Sequence, residues 1–208
     1  MKRLIVVRMS AEHFKNLYRI PSARAQWHEY NGGLYFVTIC TKERKHYFGE
    51  INNVDDKLAP PIHTKPTMVL SPIGQYAHEQ FRDVTKHYPY AEITLWVVMP
   101  NHIHAMVMID ENVETMCTSS LQREQRWKHE TIDPNMQIIS LRRGKLSTVI
   151  GGLKRAVSHF ATTHAIPFAW QPRFHDHIIR NNNEMNRIAN YIKNNVVKWG
   201  HDKFHTPR

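Results

Sequence analysis

His102-Ile103-His104 is a histidine pair separated by one apolar residue. In a β-strand alternate side chains share a face, so both imidazoles project together, roughly 6–7 Å apart along the strand, and Ile103 turns the other way. Two neutral imidazoles aimed at one point can ligate a divalent cation. The chain holds 15 histidines, so pairs of this spacing also arise by chance, and His175-Asp176-His177 is another. The first pair is set apart by its frame: it opens an apolar segment directly after the turn signal Pro100-Asn101.

Tyr191 and Asn195 form a second combination with chemical content. Four residues apart on a helix, they share one face, with Cβ atoms about 6 Å apart. Arg187 and Lys198 lie near the same stripe, while Met185, Ile188, Ile192 and Val196 make an apolar stripe that can pack on the body. A tyrosine beside a carboxamide and flanked by cations suits attack on a phosphate. Taken alone, it equally suits an interfacial tyrosine that packs and hydrogen-bonds.

The elements that must carry these residues follow from periodicity. Leu34–Thr41 is β-branched and aromatic, follows Gly32-Gly33, and reads as a strand. Residues 51–69 contain Pro60, Pro61 and Pro66 and read as a loop with room for one short strand. Ser71-Pro72 starts a helix that should run to about Lys86. Ala91–Met99 and His102–Ile109 form an antiparallel hairpin across Pro100-Asn101. Residues 110–145 are polar and aperiodic, an inserted loop. Leu146–Ala165 is a helix stopped by Pro167, Arg173–Arg180 a last strand, and Asn181–Asn183 caps a third helix running to about Lys198.

The first six elements match the ferredoxin-like arrangement, an α+β fold with helices on one face of an antiparallel sheet. The third helix, carrying the tyrosine, would lie across the open face. The expected organisation is a basic N-terminal arm over 1–30, a single domain over 31–200 with insertions at 51–69 and 111–145, and a tail over 201–208.

Several stretches now resemble one family in chain order. Val98-Met99-Pro100-Asn101-His102-Ile103-His104 is similar to the histidine–hydrophobic–histidine motif of the single-tyrosine HUH transposases, most closely their REP-associated branch. Tyr191-Ile192-Lys193-Asn194-Asn195-Val196-Val197-Lys198 resembles the family's tyrosine helix. Tyr35–Thr41 resembles its first strand, and Trp170-Gln171 with Phe174–Arg180 its last. The resemblance spans roughly residues 25–200. The chain departs from the pattern at Val196, where the family has proline, and at His175, where an aromatic residue is common.

The resemblance implies a ferredoxin-like enzyme that cuts and rejoins single-stranded DNA. It implies Tyr191 as the nucleophile that forms a 5′-phosphotyrosine, Asn195 as a third ligand beside His102 and His104, magnesium or manganese as the ion, and a DNA hairpin with a short unpaired flank as substrate. Ligand chemistry is less decided, since imidazole suits manganese or zinc better than magnesium. Tyrosine ionises near pH 10, so nearby cations would have to help it lose its proton. No Walker-type phosphate loop is present and no nucleotide cofactor is needed.

Charge agrees with a polyanionic partner. Lys plus Arg is 28 against 18 acidic residues, a net charge of +10. Candidate DNA contacts are Arg142, Arg143, Lys145, Lys154, Arg155, Arg173, Arg180, Arg187 and Lys198, with Trp127 and Trp199 as stacking surfaces for unpaired bases. Two distant cysteines, Cys40 and Cys117, exclude a disulfide scaffold and a paired-cysteine zinc site. No apolar run reaches the roughly 18 residues of a membrane span, and the apolar stretch near the start is too short for a signal peptide, so the expected compartment is the cytoplasm. A homodimer and a monomer both fit the sequence.

Two rival functions share these features. One is a non-catalytic nucleic-acid-binding module on the same sheet. The other is a metallohydrolase using metal-activated water, which needs a carboxylate near the histidines; Asp110 and Asp176 are the candidates.

Overall fold

The computed structural model describes residues 13–14, 17–18, 30–52, 65–112 and 144–205. Most of the expected N-terminal arm, the interiors of both insertions, Cys117, Trp127, Arg142 and Arg143 lie outside the described residues. Two short strands, β1 (His13–Phe14) and β2 (Leu17–Tyr18), pair with each other.

The core is one antiparallel sheet of β3 (Gly33–Cys40), β6 (Ala91–Met99), β7 (His102–Ile109) and β8 (His175–Ile179), in the spatial order β6-β7-β3-β8. The helices α1 (Pro72–Arg82) and α3 (Lys145–Thr163) lie in the connections after β3 and after β7. This is the ferredoxin-like α+β arrangement. Alternation within each strand sorts the two faces. Tyr35, Val37 and Ile39 of β3, with Ile103, Ala105, Val107 and Ile109 of β7, face the helices and are buried there. Ile73, Ala77 and Phe81 of α1 and Leu146, Val149, Ile150, Leu153 and Val157 of α3 complete this layer.

A bulge in β6 is needed to keep both faces apolar. The register slips between Ile93 and Leu95. Ala91 and Ile93 face the helices before the slip and Val98 after it, so Leu95, Val97 and Met99 switch to the opposite face.

The opposite face is also covered. The helix α4 (Asn182–Asn194) packs Ile188 and Ile192 onto Met106 and Ile179. Trp199 and Phe204 then pack against Cys40 and Met99. Asn181 caps α4 by accepting from the Glu184 N–H at 2.9 Å, and Glu184 accepts in turn from the Arg180 N–H at 3.0 Å.

Several boundaries differ from expectation. The stretch 51–69 is flanked by two short strands, β4 (Gly49–Asn52) and β5 (Thr67–Leu70), which pair antiparallel. The helix from Ser71 breaks at Asp83, which binds Arg82 and Lys86 instead of continuing, and a short α2 (Val84–His87) follows. The Ser71 hydroxyl accepts from the Gly74 N–H at 3.1 Å, as its cap position requires. Gly74 itself abuts the Phe48 carbonyl: a Cβ there would lie 2.0 Å from that oxygen. The third helix ends at Asn194 rather than Lys198, because Asn195 and Trp199 turn inward and tighter turns replace the helical ladder. Among the described residues no helix is long and apolar enough to cross a membrane.

Candidate metal centre and nucleophile

The hairpin β6–β7 sets the histidines. His104 pairs with Thr38 and His102 with Cys40 across the ladder, and Ile103 between them is buried on the helix side. The two imidazoles share the face covered by α4, ring centroids 4.5 Å apart. They are 0% and 1% exposed, so they do not line an open surface.

Each ring is held at Nδ1. His102 Nδ1 donates to Asn101 Oδ1 at 2.8 Å, because the Asn101 amide NH2 is already committed to the carbonyls of Phe204 (2.8 Å) and Arg44 (3.2 Å). His104 Nδ1 lies 2.8 Å from Thr38 Oγ1. Such outer partners fix ring orientation and leave Nε2 for a cation. His102 Nε2 is buried without a hydrogen-bond partner. Burial pushes the pKa of His102 well below the usual histidine range, helped by His104, Arg44 and Lys203. Burial also brings His104 down to about 3, against the pull of Asp202. Both rings are therefore neutral at ordinary pH, the form that ligates metals.

Tyr191 and Asn195 arrive from α4 and the turn beyond it. The Tyr191 hydroxyl lies 3.1 Å from His104 Nε2 of the same chain, and its ring meets Phe36 edge-on. Tyr191 is 39% exposed, whereas Asn195 is 2% exposed. Asn195 Nδ2 donates to Asp202 Oδ2 at 3.0 Å, and its Oδ1 is buried without a partner.

Asp202 is the residue that sequence reasoning missed. It follows the short 3-10 turn Trp199–His201, in a stretch read as a tail. Its Oδ2 lies 3.2 Å from the Tyr191 hydroxyl and its Oδ1 accepts from the Phe204 N–H at 2.7 Å. His102, His104 and Asp202 each offer one ligand atom, and these atoms lie within 4.8 Å of one another. The group could hold a metal ion. No fixed spacing links Asp202 to the histidines; the nearby apolar Trp199 and Phe204 were the available signal that this stretch is packed.

The electrostatics around Tyr191 correct one expectation. Burial and the Asp202 carboxylate push Tyr191 up to about 12, while the Asn195 side chain pulls it down. The deciding neighbour is an anion, not a cation. Arg187 sits 3.7 Å from Glu184, and Lys198 is exposed at the turn before Trp199.

Among the described residues, the expected DNA contacts of α3 do not reach this centre. Lys154 donates to the carbonyls of Gln171 (2.8 Å) and Arg173 (2.9 Å), a half-buried cation that binds its own backbone. Lys145 donates to the carbonyls of Asp110 and Glu111, both at 3.0 Å. Arg155 is exposed on α3. All three belong to the helix on the sheet face opposite the histidines. Arg173 and Arg180 flank β8 and are exposed. Trp199 is not a stacking surface: it is buried, 5.8 Å from His46 and 6.0 Å from His102 between ring centroids. Cations that do approach the centre are Arg44 and Lys203, at 4.2 and 4.9 Å from the Phe204 ring. Asp110 lies at the far end of β7, and Asp176 pairs with Val37, whose side chain faces the helices, so neither serves the histidines. In the second histidine pair, His177 binds Glu184 at 2.7 Å.

No family model matches the chain. A protein of Haemophilus influenzae of uncharacterized function is 27% identical over 203 residues, covering 95% of this chain and 99% of its own. Among solved structures, a REP-associated tyrosine transposase bound to a REP hairpin is similar with a TM-score of 0.46 and 22% identity, over 88% of this chain and 77% of that one. A candidate transposase from Deinococcus radiodurans is similar with a TM-score of 0.33 and 12% identity, over 84% of this chain and 97% of that one.

Proposed function

We propose that the chain is a metal-dependent enzyme that nicks and rejoins single-stranded DNA, of transposase type, through a 5′-phosphotyrosine. The observation that carries the reading is the approach of one phenol to the histidine pair, with the Tyr191 hydroxyl 3.1 Å from His104 Nε2. The residues fit a divalent cation. Two buried polar atoms, His102 Nε2 and Asn195 Oδ1, have no protein partner, and the histidines are neutral ligands. His102 and His104 would hold magnesium or manganese, and the bound ion would supply the positive charge that polarises a phosphate and favours the phenolate.

The chain's own residues do the rest. Thr38 and Asn101 keep the imidazoles aimed. α4 holds Tyr191 at the rim, where it is accessible to a strand and can pass its proton to Asp202 or to solvent. Tyr191 Oη bonds to phosphorus, the bond from phosphorus to the 3′-oxygen breaks, and that oxygen takes a proton from water. One ester replaces another, so a second 3′-hydroxyl can reverse the step and join new ends. A hairpin with an unpaired flank is the substrate the motifs suggest. Lys203, Arg44 and the exposed Arg173 and Arg180 could meet its backbone charge.

Hydrolysis by metal-activated water is a second reading, and Asp202 beside the histidines favours it. One experiment separates the two. Labelled single-stranded hairpin DNA is incubated with manganese and run on a denaturing gel. The expected result is a covalent protein–DNA adduct that Tyr191→Phe abolishes while still binding the DNA. Cleavage without an adduct, equal in wild type and Tyr191→Phe, favours hydrolysis. Binding without any cleavage by either favours a non-catalytic module.

A further inference from the structure

We infer that Arg44 is a catalytic residue of the nicking step, whose guanidinium stabilises the negative charge developing on the departing 3′-oxygen. The inference rests on the reading that Tyr191 attacks a phosphate lying over the histidine pair, and it names the group that acts on the far side of that phosphate.

Position along the sheet carries it. β3 and β7 run antiparallel, with Phe36 opposite Met106, Thr38 opposite His104 and Cys40 opposite His102. Tyr191 enters at the first two of these rungs, its hydroxyl 3.1 Å from His104 Nε2 and its ring 6.1 Å from that of Phe36. Arg44 enters beyond the last. Its carbonyl accepts from Asn101 Nδ2 at 3.2 Å, at the turn that leads into His102. Its guanidinium lies 4.2 Å from the centre of the Phe204 ring, which is 4.7 Å from the His102 ring and 5.7 Å from that of His104. The phenol and the guanidinium therefore flank the histidines from opposite ends. In-line displacement at phosphorus sets the attacking and leaving oxygens on opposite sides. Attack from the His104 end sends the leaving oxygen towards the His102 end, the end that carries Arg44.

The backbone that presents Arg44 is strained. Glu43 and Arg44 both have φ of 55°, in the left-handed region that a Cβ disfavours. Contacts with the turn before the histidine strand hold it there. The Thr41 N–H donates to the Asn101 carbonyl at 3.0 Å, and Thr41 Oγ1 lies 2.8 Å from the Lys45 carbonyl and 3.0 Å from that of Asn101. Strain of this kind clusters at active sites, where it keeps a side chain in one place. Lys203 also lies beside Phe204, at 4.9 Å, but it is exposed, whereas Arg44 is half-buried and its charge is less screened by water. Arginine keeps its proton, so it stabilises the oxyanion without protonating it. Tyr191 Oη bonds to phosphorus while its proton passes to Asp202 or solvent. The 3′-oxygen leaves with the electron pair of the broken bond, is held by Arg44, and takes a proton from water.

The test compares two single-stranded hairpin substrates, one ordinary and one with sulfur in place of the bridging 3′-oxygen at the cut. A thiol ionises far more readily than an alcohol, so a thiolate leaves without help. Single-turnover adduct formation with saturating manganese is measured for full-length wild type, Arg44→Gln and Arg44→Lys, with thermal melts as the folding control. Arg44→Gln should slow the ordinary substrate by about 100-fold, the cost of one donor lost from a developing oxyanion, and the sulfur substrate by no more than about threefold. Arg44→Lys keeps the charge and loses the fork; it should slow the ordinary substrate by about tenfold, with the same rescue by sulfur, and it decides the matter if Arg44→Gln does not fold. Calorimetric titration should give both variants the manganese affinity of wild type. Equal slowing of the two substrates, or no slowing of the ordinary one, overturns the inference and leaves the reading of Tyr191 standing. Manganese affinity weakened by about tenfold or more does the same, because that is the loss expected of a group supporting the histidines from behind. If wild type forms no adduct with either substrate, the reading of Tyr191 falls and the inference falls with it.

Discussion

At the scale of single residues, the centre is built from polar groups that folding has removed from water. His102 and His104 are neutral because a buried imidazolium would lose its hydration. Their pKa values are lower in the folded chain than in the unfolded one, where histidine ionises near 6.5. Between the two values the unfolded chain binds more protons, so acidification favours unfolding. Metal-free protein should therefore lose stability as pH falls from about 7.5 to about 5, by up to about 1.4 kcal/mol per pH unit for each of the two histidines. Urea midpoints across that range measure it. A His102→Asn/His104→Asn double variant should show a flatter dependence, and an equally steep one would locate the sensitivity elsewhere.

At the scale of elements, α4 determines whether Tyr191 meets the histidines. Its hold on the sheet is the small cluster of Ile188 and Ile192 against Met106 and Ile179. Ile192 is 1% exposed and lies one residue from Tyr191. Ile192→Ala should cost about 3 kcal/mol, the usual range for emptying such a site. Adduct yield should fall more than DNA binding, because the loss loosens the element carrying the phenol and leaves the charged surface intact. Urea titration and the denaturing gel, run on the same variant, separate the two effects. Unchanged adduct yield would mean that Tyr191 is held by its own polar contacts alone.

At the scale of the whole molecule, a net charge of +10 predicts salt-sensitive binding to DNA. The structure separates cations engaged within the fold from exposed ones. Lys154 is occupied by two backbone carbonyls behind the sheet, whereas Lys203 is exposed beside the ring that covers the histidines. Lys203→Ala should flatten the plot of log affinity against log salt by roughly 0.7, the contribution of one phosphate on a single strand. Lys154→Ala should leave the slope unchanged and lower stability instead. Equal slopes in wild type and Lys203→Ala would remove Lys203 from the interface.

Local pattern was enough for the elements and for two parts of the site. β-branched and aromatic runs in Leu34–Thr41, Ala91–Met99 and His102–Ile109 marked the strands, and the two-residue repeat of a strand determined the shared face of His102 and His104 and the inward turn of Ile103. Helical spacing likewise placed Ile188 and Ile192 on an apolar stripe distinct from that of Tyr191. These are short-range properties of the backbone, readable a few residues at a time. Asp202 was not readable, because it joins the histidines through a chain reversal about a hundred residues downstream and shares no period with them. Nor was the sign of the charge beside Tyr191, or the occupation of Lys154 by carbonyls. Contacts between distant segments, and the loss of water that accompanies them, exist only once the chain has packed.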